Sequence, residues 1–103
     1  MIKVAVLYPA NPGSKFDMEY YLSVHIPLVR EKLGAACEGV LVEQGMSGRQ
    51  PGSPPAFVAM CHMTFGSAAA FHAAFDPVAA VLVGDIPNYT DIEPIFQISE
   101  VKI

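Results

Sequence analysis

The sequence predicts an α+β domain of the ferredoxin-like type: a βαββαβ chain forming a four-stranded antiparallel sheet with both helices on one face. Three observations lead there. Apolar residues crowd four short segments at strand spacing and two longer ones at helical spacing, in the order β-α-β, loop, β-α-β. The halves are of similar length, without a residue-level repeat, and 103 residues make one domain, 1–103. The third observation is compositional. Hydrophobic residues make up 52% of the chain and charged ones 16%, against averages of roughly 45–50% and 25%. So little charge cannot cover a small domain's surface, so one apolar face is expected to be covered by a second subunit.

Residues 2–8, Ile-Lys-Val-Ala-Val-Leu-Tyr, read as the first strand, closed by Pro9 and the Asn11-Pro12-Gly13 turn. The first helix starts at Asp17, an acceptor for free backbone N–H groups. Glu19 lies in its first turn, Arg30 and Lys32 in its last, and Gly34 follows Leu33. Pro27 removes a donor and crowds the carbonyl of Ser23, so a break or kink is expected there. Residues 37–46 form a weaker strand centred on Val40-Leu41-Val42, and the Pro- and Gly-rich stretch Gly48 to Pro55 is a loop. Ala56 to Phe65 is a strong strand, apolar on its odd face (Phe57, Ala59, Cys61, Met63, Phe65) and largely so on its even face (Val58, Met60, His62, Thr64). Such a two-sided strand implies that the sheet face away from the helices packs on its copy in a homodimer, giving a closed dimeric α+β barrel. After Gly66-Ser67 the spacing turns helical, with Phe71 and Phe75 four apart; Asp76-Pro77 interrupts this helix and Val78 to Val83 continue it by a further turn or two. Gly84 to Asp91 reads as a polar turn, and Ile95 to Ile103 as the last strand.

Several functions are excluded. A net charge of −4 with no cluster of Lys and Arg gives no footprint for nucleic acid. Two cysteines, Cys37 and Cys61, without C-x-x-C spacing, are expected as buried small hydrophobes in a reducing cytoplasm. The N-terminus lacks the features of a signal peptide. The uncharged stretch Gln50 to Phe75 is too interrupted, by Gly66, Ser67, His62 and His72, to cross a membrane.

Projection of the first helix at 100° per residue places Tyr21, Val24 and Leu28 on one flank of an apolar arc and Leu22, Ile26, Val29 and Leu33 on the other. His25 falls inside that arc beside Tyr21. It is either a core histidine satisfied by a neighbour or a general acid/base in a pocket between helix and sheet. Asp85 or Asp91 is placed to orient it, and Tyr89 to donate to a substrate oxygen; the alternative is local capping of the turn. Tyr8, Tyr21, His62 and Asp91 are the expected substrate contacts, with His62 facing either the helices or the dimer interface. Cys61 and His62 point to opposite sides of their strand and cannot share an ion. No metal motif, nucleotide-binding glycine motif or serine nucleophile elbow occurs, and no cofactor is expected.

The segments Tyr8-Pro9, Phe16-Asp17, Tyr20-Tyr21-Leu22 with His25-Ile26-Pro27-Leu28, Met60-Cys61-His62-Met63-Thr64-Phe65 and Asp85-Ile86-Pro87-Asn88-Tyr89-Thr90 resemble the EthD family, named for ethyl tert-butyl ether degradation. The family is similar to dimeric α+β barrel proteins, among them muconolactone isomerases, polyketide cyclases, cofactor-free monooxygenases and haem-dependent relatives. The resemblance implies a ligand pocket between the sheet and its own helices, with His25 as the family's helix histidine and Asp85 and Tyr89 in its second motif. The expected function is binding of a small, largely apolar oxygenated molecule by a cofactor-independent isomerase, cyclase or oxygenase-type enzyme. An accessory protein serving a separate oxygenase is the alternative, and a haem-binding relative with His25 or His62 as axial ligand a third.

Overall fold

The computed structural model describes residues 1–103. Its strands are β1 (Ile2–Pro9), β2 (Gly39–Gln44), β3 (Phe57–Phe65) and β4 (Ile95–Glu100), in the antiparallel order β2-β3-β1-β4. The two βαβ halves are thus interleaved: β1 and β2 run parallel with β3 between them, and β3 and β4 run parallel with β1 between them. Register accounts for the core. Ile2, Val4, Val6 and Tyr8 stand opposite Phe65, Met63, Cys61 and Ala59, and all eight are buried under the helices. The strands are slightly shorter than their apolar segments: β2 gives up residues 37–38 and 45–46, and β4 stops before Val101, whose N–H bonds to the Met1 carbonyl at 3.1 Å.

The first helix, α1, spans residues 18–33 as three pieces: Met18–Tyr20, a π-helical turn Tyr21–His25, and Ile26–Leu33. Asp17 caps it, its carboxylate accepting from the Tyr20 N–H at 3.0 Å. The expected break at Pro27 takes the form of the π turn, in which the Ile26 N–H reaches back to the Tyr21 carbonyl. The wider turn carries one extra residue, making room for a proline that an α-helix would exclude. It also defeats the 100° projection, because Leu22 and Val24 turn outward, 50% and 44% exposed, while Tyr21, His25, Ile26, Val29 and Leu33 face the sheet. Gly34 ends the helix at φ +62°, where a side chain would be strained.

The second helix, α2 (Ala68–Asn88), is longer than its periodicity suggests. Ser67 caps it by accepting from the Ala70 N–H at 3.0 Å. At Asp76-Pro77 the helix tightens into a 3₁₀ turn, Asp76–Val78, without ending, then runs on through Ala79–Asp85 and a last 3₁₀ turn, Ile86–Asn88. Asp85 and Asn88, read from sequence as turn residues, therefore sit on helical backbone. By length and composition α2 could cross a membrane, yet Phe71 and Leu82 bind it to the sheet as buried core.

The sheet and its helices make a slab of 40 × 34 × 19 Å with 6319 Å² of accessible surface. A monomer of this mass is expected to expose about 5,600 Å². The difference is close to one subunit's share of a standard interface, roughly 800 Å². The sheet face away from the helices carries Ala5, Leu7, Leu41, Met60 and Ile95, but His62 lies among them, paired with Glu43 at 3.1 Å. That face is less uniformly apolar than β3 alone suggests. Apolar exposure also appears on the helix side, where Phe96 and Ile98 of β4 are 48% and 42% exposed beside α2.

Candidate functional site

The site forms where the end of β1, the π turn of α1 and the end of α2 meet. A seam of hydrogen bonds between two loops holds it together. The Asp17 N–H donates to the Tyr89 carbonyl at 2.7 Å, the Thr90 hydroxyl to the Lys15 carbonyl at 2.6 Å, and the Lys15 N–H to Asp91 Oδ1 at 2.9 Å. Thr90 also accepts from the Ile92 N–H at 3.1 Å, so its buried hydroxyl is fully used. These bonds seat Tyr89 against Tyr8, Tyr21 and His25, with ring centroids 6.0, 5.0 and 4.7 Å away. Phe16 packs edge-on against Tyr8 and Tyr21 at 5.0 and 5.1 Å.

His25 is 6% exposed, stacked on Tyr21 at 5.5 Å with the ring planes 15° apart. Its Nδ1 lies 2.9 Å from Asp85 Oδ2. The other carboxylate oxygen, Oδ1, accepts from the Tyr20 hydroxyl at 2.7 Å and from the Asn88 amide at 3.0 Å. Burial acts to raise the Asp85 pKa, but the bonds from Asn88, His25 and Tyr20, with the His25 charge, outweigh it and hold the carboxyl below its usual value. A carboxylate at Asp85 requires a proton on Nδ1, so in the neutral imidazole the lone pair is on Nε2. Nε2 has no partner within the chain, and no side-chain nitrogen is buried without one. It therefore opens onto accessible space.

The tyrosines are donors, not anions. Burial raises the phenols of Tyr8, Tyr21 and Tyr89 above the ordinary value, and the Asp85 carboxylate raises that of Tyr20 by accepting its hydrogen bond. Tyr8 and Tyr89 share one hydrogen bond, 2.6 Å between oxygens. One hydroxyl uses its proton in that bond and the other's remains free. Tyr8 borders the space beside His25 and Tyr89 does not.

That space is an apolar crevice of about 40 Å³ between helices and sheet, in which His25 is the single lining residue that is not hydrophobic. It would hold one or two waters. Of the residues singled out from sequence, the fold brings Tyr8, Tyr21, His25, Asp85 and Tyr89 together. Asp91 is engaged at Lys15, and His62 lies on the opposite sheet face, paired with Glu43. Tyr20 and Asn88 were missed as partners of Asp85; with Asp85 read as a turn residue, nothing in the spacing singles them out. Cys61 is buried in the crevice wall, its thiol pushed up to about 11 by burial, whereas Cys37 is only partly buried.

The depressed carboxyl gives an expected pH dependence. A pKa lower folded than unfolded contributes stability that is present above the unfolded value, about 3.9, and lost as pH falls through the folded one. The difference in Tm between the natural protein and Asp85→Asn should be full at neutral pH and close below about pH 4. A difference independent of pH would show that Asp85 is held only by packing.

Comparison with known proteins agrees with this architecture. An EthD domain is matched over residues 14–93. The crystal structure of an EthD-like protein from Ralstonia eutropha JMP134 superposes with a TM-score of 0.94 at 50% identity, covering 99% of this chain and 92% of that one. An ethyl tert-butyl ether degradation family protein from Bacillus halodurans C-125 aligns with a TM-score of 0.70 at 21% identity over 99% of both chains. A protein from Arabidopsis thaliana shares the fold at a TM-score of 0.71 and 12% identity, over 100% of this chain and 97% of that one. No curated protein matches the sequence.

Proposed function

Because the chain belongs to the EthD family, we propose that it is a cofactor-independent acid/base enzyme acting on a small, largely apolar carbonyl compound. The observation that carries this reading is the His25–Asp85 pair, 2.9 Å apart, with Nε2 unbonded and His25 lining an apolar crevice. Nε2 takes a proton from the carbon next to the carbonyl. The electron pair moves onto oxygen, which accepts a hydrogen bond from Tyr8, and Asp85 steadies the imidazolium that forms. Where the substrate carries a carbon–carbon double bond beside that carbon, return of the proton to the far end of the extended enolate moves the double bond and is an isomerisation. Attack of the enolate carbon on a second carbonyl, with the proton passed to the new alkoxide, is a cyclisation.

In this reading the protein is a cytoplasmic homodimer joined through the sheet face that carries Leu7, Leu41 and Met60. The excess of accessible surface and the shortage of charge support it. Light scattering should give twice the chain mass at micromolar concentration; the mass of a single chain would overturn the dimer.

The test of catalysis is deuterium exchange. In heavy water, with 2-butanone as probe, the protein should accelerate loss of the protons beside the carbonyl, followed by proton NMR. Binding without acceleration over buffer would overturn the enzyme and assign the alternative, a protein that sequesters or delivers its ligand.

A further inference from the structure

The crevice beside His25 is too small for the molecule it should act on. At about 40 Å³ it admits little more than the reacting group, whereas sites for small organic ligands run to roughly 300–1,000 Å³. A second concavity supplies the missing space. A groove of about 510 Å³ lies between α2 and β4, with Val4 and Ile98 on its floor and Phe71, Phe75, Val83 and Phe96 on its walls. Phe75, Val83 and Phe96 line both spaces, so these three side chains alone stand between the groove and the crevice. Val83, Phe96 and Ile98 are 47%, 48% and 42% exposed there. The rim is polar, where His72 Nδ1 and Asp76 Oδ1 lie 3.3 Å apart.

We propose that the ligand is an elongated, mainly hydrocarbon molecule whose carbonyl end reaches His25 while its apolar body passes between Phe75, Val83 and Phe96 to lie in the groove between α2 and β4. This rests on the acid/base reading for the chemistry at the carbonyl end, but the seat of the body depends only on the groove. At about 30 Å³ for each water-sized group, the groove takes on the order of 15 such groups, the size of a medium-length alkyl chain or two fused rings. Six of its nine lining residues are hydrophobic, with His72, Asp76 and Gln97 the polar ones, so length and apolarity dominate the specificity.

The experiment uses methyl ketones from 2-butanone to 2-decanone as probes, with binding followed by ligand-detected NMR. In the natural protein the Kd should fall about fourfold for each added methylene. Ile98→Glu, at a half-exposed position that lines the groove and not the crevice, should bind 2-butanone as the natural protein does and 2-decanone at least tenfold more weakly. A Kd independent of chain length, or full length dependence in this variant, would overturn the proposal. So would a change of oligomeric state in the variant, which would make the groove a contact between copies. His25→Gln should keep the length dependence. Length dependence without deuterium exchange removes the acid/base reading alone, and exchange without length dependence removes the groove alone.

Discussion

Replacement of His25 by Gln should abolish proton exchange at the ketone while leaving the fold in place. The amide of Gln can still donate to Asp85, so the carboxylate keeps a partner and the core keeps its volume. What is lost is the basic lone pair at Nε2. General-base catalysis by a positioned side chain is worth about 10²- to 10⁴-fold, and the exchange rate should fall by that factor. Binding of 2-butanone should change by less than a factor of about three, since Tyr8 still supplies its donor. Circular dichroism and Tm should match the natural protein within a few degrees. If exchange persists in a folded His25→Gln protein, the base lies elsewhere.

Phe65→Ala should be the most destabilising of the single truncations. Phe65 ends β3 with none of its surface exposed, packs edge-to-face on Phe71 at 5.1 Å and stands opposite Ile2 in the sheet. Truncating such a ring typically costs 3–5 kcal/mol, through lost burial and the cavity left behind. That approaches the whole stability of a small domain, about 5–15 kcal/mol. Urea unfolding should show the midpoint moving far to lower concentration, or no cooperative transition at all. Phe75→Ala is the control. Phe75 also stacks on Phe71, at 5.1 Å with the ring planes 17° apart, but is only partly buried, so its truncation should cost clearly less. Equal losses would mean that the core is not centred under β3.

The fold was legible because it rests on local signals. Alternation in β1 and β3, the Asp17 cap, the change of spacing at Gly66-Ser67 and the Pro- and Gly-rich breaks are each written in a few neighbouring residues. His25 was legible too, since Tyr21 and His25, four apart, share a flank whether the turn between them is α or π. The orientation of Leu22 and Val24 was not, because one extra residue in the turn rotates everything beside it. Asp85 and Asp91 could not be told apart, since the choice depends on how far α2 runs, and α2 absorbs both Asp76-Pro77 and Ile86-Pro87 as 3₁₀ turns instead of stopping. The groove was illegible for a related reason. Phe96 and Ile98 follow the core-facing alternation of β4, and only the placement of α2 decides that they stay half open.

The loop seam gives the molecule an internal order of events. Histidine comes from the first half of the chain and its carboxylate from the second, 60 positions later, while the Lys15–Thr90 and Tyr8–Tyr89 bonds that lock them together span 75 and 81 positions. Closures of that length are entropically costly and form late. A nascent chain exposing only its first half carries the base without the group that fixes its tautomer. In the proposed acid/base reading, His25 therefore gains the carboxylate that orients it only once the second half of the chain has docked.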